Sequence, residues 1–320
     1  MKNNKIVLGI VVLCVGLLFF KKLLYKGSGA RWTVGIVQTA SHPALDAARQ
    51  GLIDYVQEKM GRDVSFVVRN GEGSVNALYT IAQYMGARSD VDLVYAIATP
   101  AAQAVTSVIK EKPVIMAAVT VDLQKGSVLL QENVCIISDM INVHAEVAAL
   151  HELLPQVKTV GVLFNTAEVN AVMMANLMMQ ELEKSGLAPY AVGVSSEADI
   201  EPAVRSAVRK VDALLAPTDN TVANTIALVS ELVSQAKKPL IVSDNLLVTF
   251  GALMSRGVDY YESGRQAGMC AEQIVVHHKK PYETPVIMAD TKEIFVNRLV
   301  SAELGVVVPK ELEKDVVFVE

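Results

Sequence analysis

The sequence predicts an α/β protein made of two doubly wound parallel-sheet lobes joined by a hinge of several crossings. Three observations predict it. From residue 31 onward one unit recurs, a short β-branched apolar run followed by a small polar residue able to cap a helix and then an amphipathic stretch. These units fall into two consecutive series of similar size, as two α/β lobes do. Finally, 320 residues with 52% hydrophobic and 20% charged content suffice for two cores and leave no long disordered tract.

The units read in order as follows. TVGIVQ meets Thr39 and Ser41, DLVYAIA meets Thr99 and Pro100, and further strands are expected at 64–69, 113–119 and 133–137. The clearest helix is expected over 41–60, where Leu45, Ala48, Leu52, Val56 and Met60 recur at steps of three and four before Gly61. A second series opens with a helix near 143–154. TVGVLF then meets Asn165 and Thr166, a strand follows at 190–194, DALLAP meets Thr218, Asp219 and Asn220, and PLIV meets Ser243 and Asp244. After Gly251 come a helix of about 260–278, the stretch 285–289 and the stretch 297–304, too few elements for a third domain. They are expected to return and complete the two lobes, one comprising 31–138 with 251–281 and the other 139–250 with 282–320.

Residues 1–30 stand apart. Lys2 and Lys5 precede an unbroken apolar run over 6–20, and Lys21, Lys22 and Lys26 follow it. Fifteen apolar residues suit a secretory signal better than a full span of about 20. Ser28, Gly29 and Ala30 would allow cleavage, while Leu23, Leu24 and Tyr25 could extend the run into an uncleaved anchor. Either outcome implies a periplasmic or extracytoplasmic chain. The formal charge of −5 includes five lysines and no acids in residues 1–30, so the remainder carries −10, which argues against nucleic acid. Cys135 and Cys270 lie in apolar runs and are expected as buried free thiols, with a disulfide as the alternative.

Few motifs carry chemistry. Gly71, Gly73 and Ser74 read as a glycine-rich turn with Ser74 as helix cap rather than as a dinucleotide fingerprint, because Asn76 stands where the third glycine would be. His144, His151, His277 and His278 have no carboxylates at ligand spacing, so no metal and no cofactor is expected. Met173, Met174, Met178 and Met179 fit core packing. The caps at strand ends are the better candidates, since ligands of parallel sheets gather there. Thr99 and the N–H groups of Ala101 and Ala102 would receive a carboxylate. On the other lobe Asp219 would receive an ammonium, with Asn220 beside it, Asn165 and Glu168 at the equivalent turn after another strand, and Glu168 or Asp244 as the alternative partner. Thr39, Ser41, Ser138 and Asp139 are further ligand-binding candidates at strand ends. Donors facing acceptors across a cleft suit a zwitterion.

Several strings also carry a family resemblance: VGIVQTASHPALD (34–46), ATPAAQAV (98–105), GVLFNTAEVNA (161–171), LLAPTDNTVA (214–223), VSDNLLVTFGALMSRGVDYYESGRQAG (242–268) and the stretch 297–309. Together they resemble ABC transporter substrate-binding proteins of the tryptophan/tyrosine type. The resemblance implies the type I periplasmic-binding fold and a non-enzymatic role. It also implies a monomer that binds tryptophan, tyrosine or a related solute and delivers it to an ABC permease with its ATPase, held at the membrane by the N-terminal segment if that is uncleaved. The chain departs from the family where Asp-Pro pairs are common, carrying Thr120-Val121-Asp122 and Ser138-Asp139-Met140 instead, and Leu13-Cys14 is no lipoprotein signal. Two other readings use the same lobes: the sensor domain of a regulatory protein, disfavoured by the apolar N-terminus, and a cleft enzyme, for which no nucleophile–base motif is present.

Overall fold

The computed structural model describes residues 32–61, 64–121, 130–284 and 286–320. The expected leader and anchor lie outside these residues. The first lobe holds strands β1 (Trp32–Gln38), β2 (Val64–Asn70), β3 (Leu93–Ile97), β4 (Val114–Val119) and β5 (Val134–Ser138). They form one parallel sheet in the order β2-β1-β3-β4-β5. Helices α1 (Pro43–Met60), α2 (Val75–Ala87) and α3 (Thr99–Val108) connect them. The central strands β3 and β4 are buried along their whole length, as expected of strands covered on both faces.

The second lobe repeats this plan. It contains α4 (Val143–Leu153), β6 (Thr159–Asn165), α5 (Val169–Lys184), β7 (Ala188–Val194), α6 (Ile200–Ala207), β8 (Ala213–Ala216), α7 (Asn220–Asn224), α8 (Ile226–Gln235), β9 (Leu240–Asp244) and β10 (Met254–Val258). Strands β7-β6-β8-β9-β10 are parallel and take the same order as the first sheet. Beyond them β11 (Ile294–Asn297) pairs antiparallel with β10, and β12 (Val316–Val319) closes the edge; α10 (Arg298–Leu304) lies between these two in sequence.

The lobes exchange helices. After β5 the chain crosses at 139–142 into α4, which packs on α5 and β10 of the second lobe. After β10 it crosses back at Asp259 into α9 (Tyr260–Val275), which packs on α1, β4 and β5 of the first. Ile287 then bridges Ile137 at the edge of the first sheet before the chain returns to β11. This corrects the expected partition in two places. Residues 254–258 belong with the second sheet because they pair with β9, and Ile287 belongs with the first. Strands β10 to β12 were missed because Gly257 interrupts the first and the other two span only four residues each.

Local chemistry sets the helix bounds. Helix α1 starts at Pro43 rather than Ser41, since proline is favoured at the first helical position, and it ends at Gly61 with φ +64°. Its expected apolar stripe Leu45, Ala48, Leu52 and Val56 is buried. Ser74 caps α2 as expected, its hydroxyl accepting the Ala77 N–H at 3.3 Å. Helices α1 and α9 approach through glycines: a Cβ on Gly264 would lie 2.1 Å from the Ala48 carbonyl oxygen, and one on Gly51 would lie 2.1 Å from that of Tyr261. Gly264→Ala is therefore expected to lower stability by about 1–3 kcal/mol through overpacking. Urea unfolding would show this as a lower midpoint; an unchanged midpoint would mean that the two helices part freely.

Candidate functional site

The carboxyl ends of both sheets face each other across an interlobe cavity. The first lobe supplies His42, Ala44 and Leu45 at the start of α1, Ala118 in β4, Asp139 at the first crossing and Tyr260 at the second. The second lobe supplies Asn170, the turn 216–220, Val222, Ala223, Ser243, Asp244 and Leu247. The lobes touch directly where His42 Nε2 lies 3.3 Å from Asn220 Oδ1. Four of the buried side-chain atoms without a hydrogen-bond partner belong to residues lining this cavity: His42 Nδ1, Asn170 Oδ1, Thr218 Oγ1 and Asp244 Oδ2. Buried polar atoms are normally paired, so their gathering in one place marks a ligand seat.

The cavity is acidic. Asp139 accepts the Thr120 hydroxyl at 2.8 Å and the Tyr260 hydroxyl at 3.1 Å, and burial pushes its carboxyl up to about 6. Asp219 accepts the Asn165 N–H at 2.6 Å and the Val222 N–H at 2.9 Å; burial, and then the charge of Glu168, pushes it up to about 7. Asp244 is pushed up to about 7 by burial although the Leu246 N–H donates to its Oδ1 at 2.9 Å. Beneath Ser243, whose hydroxyl donates to it at 2.9 Å, burial lifts Glu146 to about 8. Burial likewise holds His42 below its ordinary value. Among the described residues none of these four carboxyl groups has an ion-pair partner, and no cluster of three or more His, Cys, Asp or Glu is placed to hold a metal ion.

The expected site residues divide into three groups. Asp139, Asp219, Asn220 and Asp244 line this inner cavity. Thr39, Thr99, Asn165, Glu168 and again Asn220 line an adjoining outer space of about 960 Å³. Ser41, Ser138, Ala101 and Ala102 line neither. The expected carboxylate seat is corrected by the bonds already made there. The Ala101 N–H donates to Thr39 Oγ1 at 3.1 Å, the Ala102 N–H to the Ala98 carbonyl at 3.0 Å, and both alanines are fully buried. Thr99 Oγ1 accepts the Thr120 N–H at 3.2 Å. Ser41 donates to Asp46, and Ser138 donates to the Val119 carbonyl while accepting the Met140 N–H.

The acceptor side is corrected too. Both Asp219 oxygens serve backbone N–H groups, and Glu168 accepts from the backbone and side chains of Asn220 and Thr221. Of the expected acids Asp139, Glu168, Asp219 and Asp244, Asp244 alone keeps a buried oxygen unpaired among the described residues. His42, Asn170, Thr218 and Tyr260 were missed as site residues. The signal for His42 was available, since it precedes Pro43 at the start of the longest amphipathic stretch.

Residues 33–317 match the family of ABC transporter substrate binding proteins. The chain belongs to that family. It is 32% identical over 271 residues to the tyrosine-binding protein of Clostridioides difficile, covering 82% of this chain and 78% of that one. The ABC domain from Streptococcus pneumonia solved in complex with L-Trp is 32% identical, with 89% of this chain and 99% of that chain covered and a TM-score of 0.82. A substrate-binding protein with adhesive properties from Clostridium difficile, solved in a ligand-free, open structure, is 29% identical over 90% of this chain and 99% of that chain, at a TM-score of 0.67. The fold of this chain is the type I periplasmic-binding fold.

The buried acids fix a pH dependence. A carboxyl raised in the folded state binds more protons than in the unfolded chain between its two values, so stability falls as pH rises through that window. Asp139, Asp219, Asp244 and Glu146 place the window between about 4 and 8. Depressed acids such as Asp212 and Asp199 act below the ordinary carboxylate value, outside it, and depressed His42 opposes the trend as a single group. Without ligand, the melting temperature is expected to fall by roughly 5 °C or more from pH 5 to pH 8. Calorimetry checks this, and Glu146→Gln is expected to shrink the fall; a rise would contradict the burial of these groups.

Proposed function

We propose that this chain is the extracytoplasmic solute-binding component of an ABC importer. In this reading it works as a monomer, holds a zwitterionic amino acid with an aromatic side chain between its lobes, and delivers it to a permease with its ATPase. One observation carries the reading: the unpaired, buried Asp244 Oδ2 lies in the same cavity as the start of α1. The first N–H groups of a helix have no partner within it, and Ala44 and Leu45, the residues after Pro43, both line the cavity. Asp244 then receives the ammonium and the start of α1 receives the carboxylate. Ala118, Ala216, Val222, Ala223 and Leu247 give the cavity small apolar patches between its polar groups, the kind of surface an apolar side chain packs on. The family match and the tyrosine and L-Trp named for its relatives support the ligand class. The basic and apolar start of the sequence supports export and leaves anchoring or cleavage to the N-terminal segment.

Titration calorimetry with L-tryptophan, L-tyrosine and their des-amino analogues tests this. Asp244→Asn should weaken amino-acid binding by about 30-fold or more, since leaving a buried ammonium unpaired costs about 2–5 kcal/mol. Asp219→Asn should lower the melting temperature, because it disturbs a cap. Equal affinity for amino acid and des-amino analogue would sink the ammonium assignment. Failure of every amino acid in a panel to bind would sink the ligand class. Binding is also expected to strengthen from pH 5 to pH 8, because an ammonium pairs with the ionised form of carboxyls that are raised in the free protein. Affinity measured across that range checks the sign.

A further inference from the structure

The two cysteines of the described residues meet. Cys135 lies in β5 and Cys270 in α9, both are buried, and their sulfurs are 2.9 Å apart inside one apolar cluster with Ile115, Ile137, Ala267 and Ile274. Both are the buried free thiols expected from the sequence, and their meeting follows from the return of α9 to the first lobe. A disulfide needs sulfurs about 2.05 Å apart, so less than 1 Å of side-chain movement separates this pair from a bond. The Cys135 thiol is held below its ordinary value by its hydrogen bond with Cys270, whose own thiol is pushed up by the same contact. Both elements that carry the pair lead to the hinge. Cys135 stands four residues before Asp139, Cys270 stands ten after Tyr260, and the Tyr260 hydroxyl already donates to Asp139 at 3.1 Å.

We infer that Cys135 and Cys270 form a disulfide that staples α9 to β5 within the first lobe. The oxidant is a disulfide-bearing exchange partner, an exported dithiol oxidase in the cell or oxidised glutathione in the test tube. The Cys135 thiolate attacks its disulfide and releases one thiol. The Cys270 thiolate then attacks the Cys135 sulfur of the mixed disulfide and expels the second. Two cysteine protons leave, and the partner takes up the two electrons. Because both sulfurs end up buried, the exchange takes place during folding, in the oxidising compartment that the export reading implies.

The full chain, refolded from denaturant in a buffer of reduced and oxidised glutathione, is acid-trapped, unfolded, alkylated and mapped by peptide mass spectrometry. The expected result is a linked Cys135–Cys270 peptide with Cys14 alkylated. Reductant should lower the melting temperature of the linked protein by roughly 5–15 °C. Cys270→Ser, or Cys270→Ala if the hydroxyl is not tolerated, should abolish that response. Alkylation of both cysteines in protein that has regained native circular dichroism under the same buffer would overturn the inference. Linkage on refolding, with free thiols in protein taken from cells, would uphold the pair and instead fault the export reading.

Discussion

The structure depends on burying carboxyl groups that meet no cation among the described residues. Asp139, Asp219, Asp244 and Glu146 are all nearly inaccessible to solvent, and each is pushed toward its neutral form. Hydroxyls and backbone N–H groups offset part of the cost for the first two, whereas Asp244 and Glu146 each retain an unpaired oxygen. An unpaired buried charge is expensive, and either a proton or a bound cation relieves it. Opening the cleft would also relieve it, by returning Asp244 to water. The groups that would recognise an ammonium are therefore the same ones that disfavour closure without it, so that ligand binding and lobe closure share one free-energy term.

The topology concentrates this term at the hinge. In each half the fifth strand ends beside the cleft, and the helix that follows packs on the other lobe. Asp139 follows β5 and Tyr260 follows β10 across Asp259, so two crossings bring two cavity residues into direct contact. Helix α9 is locked onto α1 through Gly51 and Gly264, and α1 in turn starts at the cavity. Any rotation of the lobes would therefore move the second-lobe acceptors, Asn170 and Asp244, relative to the first-lobe block of α1, α9 and Asp139.

Much of the fold was legible because parallel strands covered on both faces read as continuous β-branched runs, and because Pro43, Ser74 and Gly61 mark helix ends by mechanisms local to the chain. The site was legible only as a set of strand ends. Thr99, Ala101 and Ala102 look like an open anion seat in sequence, yet Thr39 and the Ala98 carbonyl, both brought there by the fold, already take the two alanine N–H groups. Asp219 looks like the natural ammonium partner in the PTDN turn, yet the Asn165 N–H, 54 residues away, claims one of its oxygens. Which lone pairs stay free is a tertiary property. So is the meeting of Cys135 with Cys270, 135 residues apart.

The contact between lobes carries a further consequence for the chemistry of the cavity. Glu168, as a carboxylate, can only accept hydrogen bonds, so the 2.6 Å contact to Asn220 fixes that amide with its Nδ2 toward Glu168 and its Oδ1 toward His42. An amide oxygen cannot donate, so His42 Nε2 must carry the proton. With the ring kept neutral by burial, Nδ1 is then a bare acceptor. That atom is one of the unpaired atoms of the cavity, together with Asn170 Oδ1, Thr218 Oγ1 and Asp244 Oδ2. One comes from the first lobe and three from the second, and all four can accept a hydrogen bond. Glu168, though its oxygens are taken up by Asn220 and Thr221, thus sets the tautomer that leaves His42 Nδ1 open as an acceptor.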